Sequence, residues 1–343
     1  MAFSGNELTR QLHDILPGDW MVRVYRTEGK LFDGWLELTP PSGPTYRFEL
    51  EYKPRFEPRD VDEIERLRRM MPAHANVLLV APYLSPRSRT LLAQRGISHA
   101  DLTGNLRLSS ESLFIDRAGA QKNPKRATEE RTRTSLRGPV TGRVVRFLCD
   151  SLPPLKVREI AMGTNVNAGN VSRILEFLDR ERFVERGARG LVEAVDWESL
   201  IRRWSQDVKK DRRSEIFLEP RGIELVTRRL SGCRLPYAIT GSFAAAQLAP
   251  VVAPVSIDLY VRDIDEGREA LSLHASDRVG NVRLIQAFDR VALERTLDRN
   301  HVLLAAPPQI AADILTLPRR SSDEFMALID WMKRNERIWR TGR

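Results

Sequence analysis

The sequence predicts a multidomain α/β protein in which two mixed α/β regions flank a compact module of helices and a hairpin. Three observations predict it. At 343 residues the chain exceeds one average domain. Helix-length and strand-length apolar patterns alternate at both ends, and the run 76–81 is apolar enough for a central strand covered on both faces. Between them, residues 138–194 carry two short amphipathic stretches, a turn, a third amphipathic stretch and a glycine-bounded hairpin pattern.

From the N terminus, a helix over 6–16 is stopped by Pro17 and Gly18, and strands follow over 20–25, 34–38 and 46–52. The run from Pro40 to Pro44 supplies the turn between the last two, because proline and glycine set the dihedrals a turn needs. A helix over 59–70 points Val61, Ile64 and Leu67 inward. After the strand 76–81 come a helix over 86–95 and a strand pair at 98–101 and 113–116.

Residues 1–118 then carry a constellation of charges. Asp33 precedes one strand, and Glu49, Glu51 and Lys53 alternate along the end of another. Paired carboxylates supply hard oxygen ligands, and an ammonium beside them can stabilise developing negative charge. The pattern resembles the PD-(D/E)xK nuclease superfamily, the restriction-endonuclease-like fold, and Ala100-Asp101-Leu102-Thr103-Gly104-Asn105 adds to the likeness. The resemblance implies Asp33, Glu51 and Lys53 as catalytic residues, with Asp33, Glu51 and Glu49 holding Mg (or Mn). Glu7 on the first helix is the candidate accessory acid.

Residues 119–134 form a basic, polar stretch that lacks the apolar side chains for a core and reads as a linker able to reach phosphates. The module 135–204 follows. Val140, Val144, Phe147 and Leu148 line one side of a first helix that ends near Asp150, before Pro153 and Pro154. A short second helix breaks at Gly163, and Val166 plugs the angle before the next. Asn167 is placed to cap a third helix whose buried stripe is Val171, Ile174, Leu175 and Leu178. Its other side opens with Ala168, Gly169, Asn170 and Arg173, small residues and then donors, suited to base edges in a major groove. Strands at 183–186 and 191–194 bracket a turn carrying Arg189. These are the parts of a winged helix-turn-helix. Asn167, Asn170, Arg173 and Arg189 are the candidate DNA-binding residues, with Arg143, Lys156 and Arg158 on phosphates.

In 205–343 an apolar strand runs through Gly241 and Ser242 into a small-residue helix, and 255–261 reads as the neighbouring strand with Asp258 on it. This resembles the nucleotidyltransferase fold, in which Gly-Ser opens a phosphate-holding helix and two acids on the next strand bind metal. Here Tyr260 stands where the second acid belongs. The motif Gly241, Ser242, Asp258 is therefore degenerate and expected to be non-catalytic. The winged module with this region and the run from Ala305 to Asp313 resembles the AbiEi family of antitoxin-like transcriptional regulators. That resemblance implies autoregulation and a toxin or other protein partner, and the leading nuclease-like domain departs from it.

A formal charge of +9 favours a polyanionic partner. Cys149 and Cys233 have no metal or disulfide spacing, no apolar run reaches membrane-spanning length, and the first residues lack signal-peptide character, so a cytoplasmic location is expected. The expected function is sequence-specific binding of double-stranded DNA as a transcriptional regulator, with a homodimer on a palindrome. A magnesium-dependent nuclease targeted by the winged module is the alternative, and a protein-interaction antitoxin is a third.

Overall fold

A computed structural model describes residues 5–27, 31–72, 75–119, 135–208, 213–275, 280–316 and 322–342. The basic stretch 120–134 and the charged junction at 209–212 lie outside the described residues. The chain forms two compact units, the first comprising 5–119 together with 180–182, the second the remainder from 135.

The first unit runs α1 (Gly5–Ile15), β1 (Met21–Arg26), β2 (Gly34–Thr39), β3 (Tyr46–Tyr52), α2 (Val61–Arg69), β4 (Asn76–Ala81), α3 (Pro86–Gln94), β5 (Ser98–Asp101), β6 (Leu106–Ser109) and β7 (Phe114–Arg117). Its strands make one seven-stranded sheet in sequential order. The joins β1–β2–β3 and β5–β6–β7 are antiparallel, and β3–β4–β5 are parallel. Alternation along each strand builds two cores. Leu8 and Leu12 of α1 share one face with Leu36, Phe48, Leu50, Leu78 and Val80. Val61, Ile64 and Leu92 of α2 and α3 cover Val77, Leu79 and Ala81 on the other. The strands expected to pair at 98–101 and 113–116 do not touch each other, because β6 lies between them and pairs with both.

The second unit begins with α4 (Pro139–Asp150), α5 (Val157–Thr164), α6 (Ala168–Arg180), β8 (Val184–Arg186), β9 (Val192–Val195) and α7 (Trp197–Val208). It continues with β10 (Ser214–Leu218), α8 (Ile223–Ser231), β11 (Tyr237–Thr240), α9 (Gly241–Leu248), β12 (Ile257–Val261), α10 (Ile264–Ala270), β13 (His274–Ala275) and β14 (Val282–Gln286). It ends with β15 (Leu297–Arg299), β16 (Val302–Leu304), α11 (Pro307–Ile314), α12 (Ser322–Arg334) and α13 (Glu336–Trp339). A mixed sheet in the order β13-β10-β14-β12-β11-β16-β15 carries the C-terminal half, and β8 and β9 form a separate hairpin. Val144, Leu148, Ile174 and Leu200 belong to the same hydrophobic core as Ile239, Leu259, Ile310 and Leu328, so 135–204 and 205–343 share one interior.

Gly163 does not break the second helix; α5 continues to Thr164 and ends at Asn165 in the left-handed conformation. The glycine serves packing instead. A Cβ there would stand 2.2 Å from Cε2 of Phe147, so only a bare Cα lets α4 and α5 approach this closely.

Candidate nucleic-acid interface

The candidate surface centres on the first turn of α6. Asn167 Oδ1 accepts from the Asn170 amide at 2.9 Å, satisfying one of the amides that a helix start leaves without an internal partner. Val171, Ile174, Leu175 and Leu178 are buried as the spacing predicts. On the other side Asn167, Ala168, Gly169 and Arg173 are exposed, and Asn170 is partly so. The helix thus offers its N-terminal turn and a guanidinium to solvent while its opposite stripe anchors it. Lys156 and Arg158, at the start of α5, are exposed as well.

Arg143 lies elsewhere than its expected place on a phosphate. Its Nη1 donates to the carbonyls of Thr164 at 3.0 Å and Asn165 at 3.2 Å, and its Nε lies 3.4 Å from Asp289 Oδ2. The turn between α5 and α6 leaves these carbonyls without helical partners, so the guanidinium works as an internal clamp. Arg143 therefore fixes the geometry of the turn.

In the hairpin, β8 and β9 pair antiparallel, and Arg189 sits exposed at the tip with φ of 66°. Leu155 adds a third rung, exchanging both backbone hydrogen bonds with Val192 at 2.9 and 3.0 Å. The segment leading into α5 is thereby fastened to the base of the hairpin.

Behind this surface a chain of buried polar groups crosses the shared core. Arg146, fully buried on α4, donates to Asp150 Oδ2 at 3.1 Å, to the Val291 carbonyl at 3.1 Å and to Gln309 Oε1 at 3.3 Å. Gln309 donates in turn to Asp313 Oδ1 at 3.0 Å, and Thr240 and Tyr260 donate to Asp313 Oδ2 at 2.6 and 2.9 Å. The hydroxyl of Tyr260 is thus a donor in the core. Beside it, Gly241 has φ of +66° and lies so close to Asp258 that a Cβ would meet Oδ2 at 2.7 Å. Asp258 faces Arg283 at 3.6 Å, and Ser242 Oγ donates to Glu324 Oε2 at 2.8 Å. The Gly-Ser turn is present, but its hydroxyl and its carboxylate both have partners within the protein.

In the first unit, Asp33, Glu51 and Lys53 do converge. Asp33 Oδ2 accepts from the Tyr52 amide at 2.8 Å, and Lys53 Nζ bridges Glu51 at 2.9 Å and Glu63 at 3.0 Å. Burial pushes the Glu51 carboxyl above its ordinary value; Lys53 pulls it back, while Asp33 and Glu63 push it further up. Burial lowers the Lys53 ammonium, but its hydrogen bonds to Glu51 and Glu63 outweigh that and leave it raised. Glu63 belongs to this cluster and escaped the sequence reading, because it lies on α2 and not on a strand. Glu49 turns away and pairs with Arg47 at 2.9 Å, and burial, with the charge of Glu7 adding to it, raises the Tyr52 hydroxyl above its ordinary value. Among the described residues no three His, Cys, Asp or Glu side chains gather in a way that could hold a metal ion. With Glu49 diverted, Asp33 engaged by a backbone amide and Glu51 neutralised by Lys53, the donor set does not fit the expected magnesium.

Asp101, in the run that added to the nuclease likeness, is fully buried and accepts from Leu84, Thr103 and Asn105, closing a tight turn. Among the described residues no helix is long and apolar enough to cross a membrane. Comparison of the chain with protein-family models, with curated proteins and with solved structures finds no match.

Proposed function

We propose that this protein is a sequence-specific binder of double-stranded DNA that acts as a transcriptional regulator through a winged helix-turn-helix. The observation that carries this reading is the first turn of α6, capped by Asn167 and open to solvent at Asn170 and Arg173, on a helix whose opposite stripe is buried. A helix presented in this way can enter a major groove, and an arginine or asparagine there can make a bidentate contact to guanine or adenine. Exposed Arg189 on the hairpin tip suits a minor groove, and exposed Lys156 and Arg158 suit the flanking phosphates. The net charge of +9 favours the same partner.

One helix start reads too few base pairs to single out a genomic site, so two copies on a palindrome form part of the proposal. The engaged Ser242 and Asp258 support a C-terminal region that is structural or regulatory, in keeping with an autoregulatory, antitoxin-like role alongside a toxin partner. Recovering bound genomic DNA without prior choice of sites tests the proposal: fragments sharing one motif support it, and fragments with no common sequence refute it.

A further inference from the structure

The sheet of the first unit bears two large aromatic side chains that belong to neither of its cores. Tyr25 on β1 and Trp35 on β2 are direct cross-strand partners, and their rings stack with centroids 4.8 Å apart and planes 18° from parallel. The guanidinium carbon of Arg47, on β3, lies 4.7 Å from the centroid of the Trp35 ring. Two hydrogen bonds fix this order. Trp35 Nε1 donates to Glu37 at 3.1 Å, and Arg47 Nε donates to Glu49 at 2.9 Å. Register places Trp35 beside Glu49 and Glu49 beside Val77, so the stack stands on the sheet face that α2 and α3 cover at Val77 and Leu79.

Both rings are only partly buried. Neither joins the residues packed under α1 or those packed under α2 and α3. Core formation therefore does not account for two of the most costly side chains to leave wet. Because β1 is the edge strand, the stack of Arg47, Trp35 and Tyr25 ends at the outer side of the sheet. Arg23, two residues before Tyr25 and so on its face of the edge strand, is exposed.

We infer that this stack is a binding platform for an unpaired base of single-stranded nucleic acid, with Tyr25 as the terminal stacking ring and Arg23, on the same face of β1, serving a phosphate. Every base has a π face, so stacking on a held aromatic ring binds without regard to sequence. The clamped Trp35 behind Tyr25 removes part of the ordering cost that a free ring would carry. Charge complementarity favours this occupant over a protein surface, because exposed Arg23 stands on the same face of β1 as Tyr25 in a chain of net charge +9. This site is independent of the duplex-binding surface on α6, and the two are separable by their variants.

The test measures fluorescence anisotropy of a labelled twenty-nucleotide oligothymidine, its oligouridine counterpart and a random duplex, titrated with the full-length protein. Tyr25→Ala is expected to weaken binding to both single strands on the order of tenfold and to leave duplex binding unchanged, whereas Arg173→Ala does the reverse. Tyr25→Phe keeps the ring and is expected to bind like the wild type, which separates stacking from misfolding. Equal loss in Tyr25→Ala and Tyr25→Phe, or no loss in Tyr25→Ala, overturns the proposal. A Tyr25→Ala change in oligomeric state with unaltered oligonucleotide affinity overturns it in favour of a contact between copies of the chain. A difference between the thymidine and uridine strands identifies which nucleic acid the platform prefers.

Discussion

Arg146 offers the sharpest test of how the second unit is held together. It is fully buried, and its three hydrogen bonds tie α4 to Asp150 one turn on, to the carbonyl of Val291 and to Gln309 on α11. Arg146→Met keeps the volume of the stem but leaves Asp150, among the described residues, with Arg295 3.8 Å away as its remaining ion-pair partner, and strips the Val291 carbonyl and Gln309 Oε1 of this donor. Removing one partner of a buried ion pair costs about 3–5 kcal/mol, because the remaining charge stays desolvated. Among the described residues Arg146 Nε and Asp150 Oδ1 have no hydrogen-bond partner, so the network is incomplete and the lower end, about 3 kcal/mol, is expected. Removing both charges in Arg146→Met, Asp150→Leu should recover more than half of that loss. Urea denaturation of the full chain, followed by tryptophan fluorescence, reports it, and the transition of the first unit should not move. A single-variant loss below about 1 kcal/mol, or a double variant no better than the single, would refute the reasoning.

Three further outcomes follow from the geometry. Burial lowers His99 from 6.5 to about 4, so its neutral form is the one the first unit holds; stability from this group is full above pH 6.5 and lost as pH falls toward 4, roughly 3 kcal/mol in all, and a His99→Gln variant should flatten that acid limb in a pH series of melts. Gly241→Ala forces a Cβ into a left-handed residue and against Asp258, and should cost about 1–3 kcal/mol of second-unit stability by denaturation, part of it restored by adding Asp258→Ala. Because the donor set around Glu51 does not fit magnesium, millimolar magnesium should neither raise the melting temperature of the first unit nor support cleavage of DNA that Lys53→Ala abolishes; a rise or a cleavage sensitive to Lys53 would restore the nuclease reading.

The parts of the fold legible in the sequence are those whose information is local. The stripe of α6 and its Asn167 cap need only helical spacing and one side-chain oxygen, and both appear where expected. β3 and β4 match their expected bounds because a long β-rich pattern and an unbroken apolar run leave few alternatives. What escaped depends on distant partners. β6, β15 and β16 are three or four residues long and owe their existence to neighbouring strands. Arg143 reads as a phosphate contact, yet it clamps a turn, and Arg146 is sealed in the core by Gln309 and Val291, far away in sequence. Gly163 read as a breaker because a sequence does not reveal that Phe147 will lie against its Cα. Glu49 was grouped with Glu51 by strand parity, which places the Cα correctly but not the carboxylate, drawn off by Arg47.

The central claim is that α6 reads base edges with Arg173. Its most direct test compares wild-type protein and Arg173→Ala on the recovered operator and on random duplex of equal length at one fixed salt concentration. Loss of a bidentate base contact should weaken operator binding by about 1–3 kcal/mol while random-duplex affinity changes little. Equal losses on both duplexes, or none on either, would contradict the claim and remove α6 from the role of recognition helix.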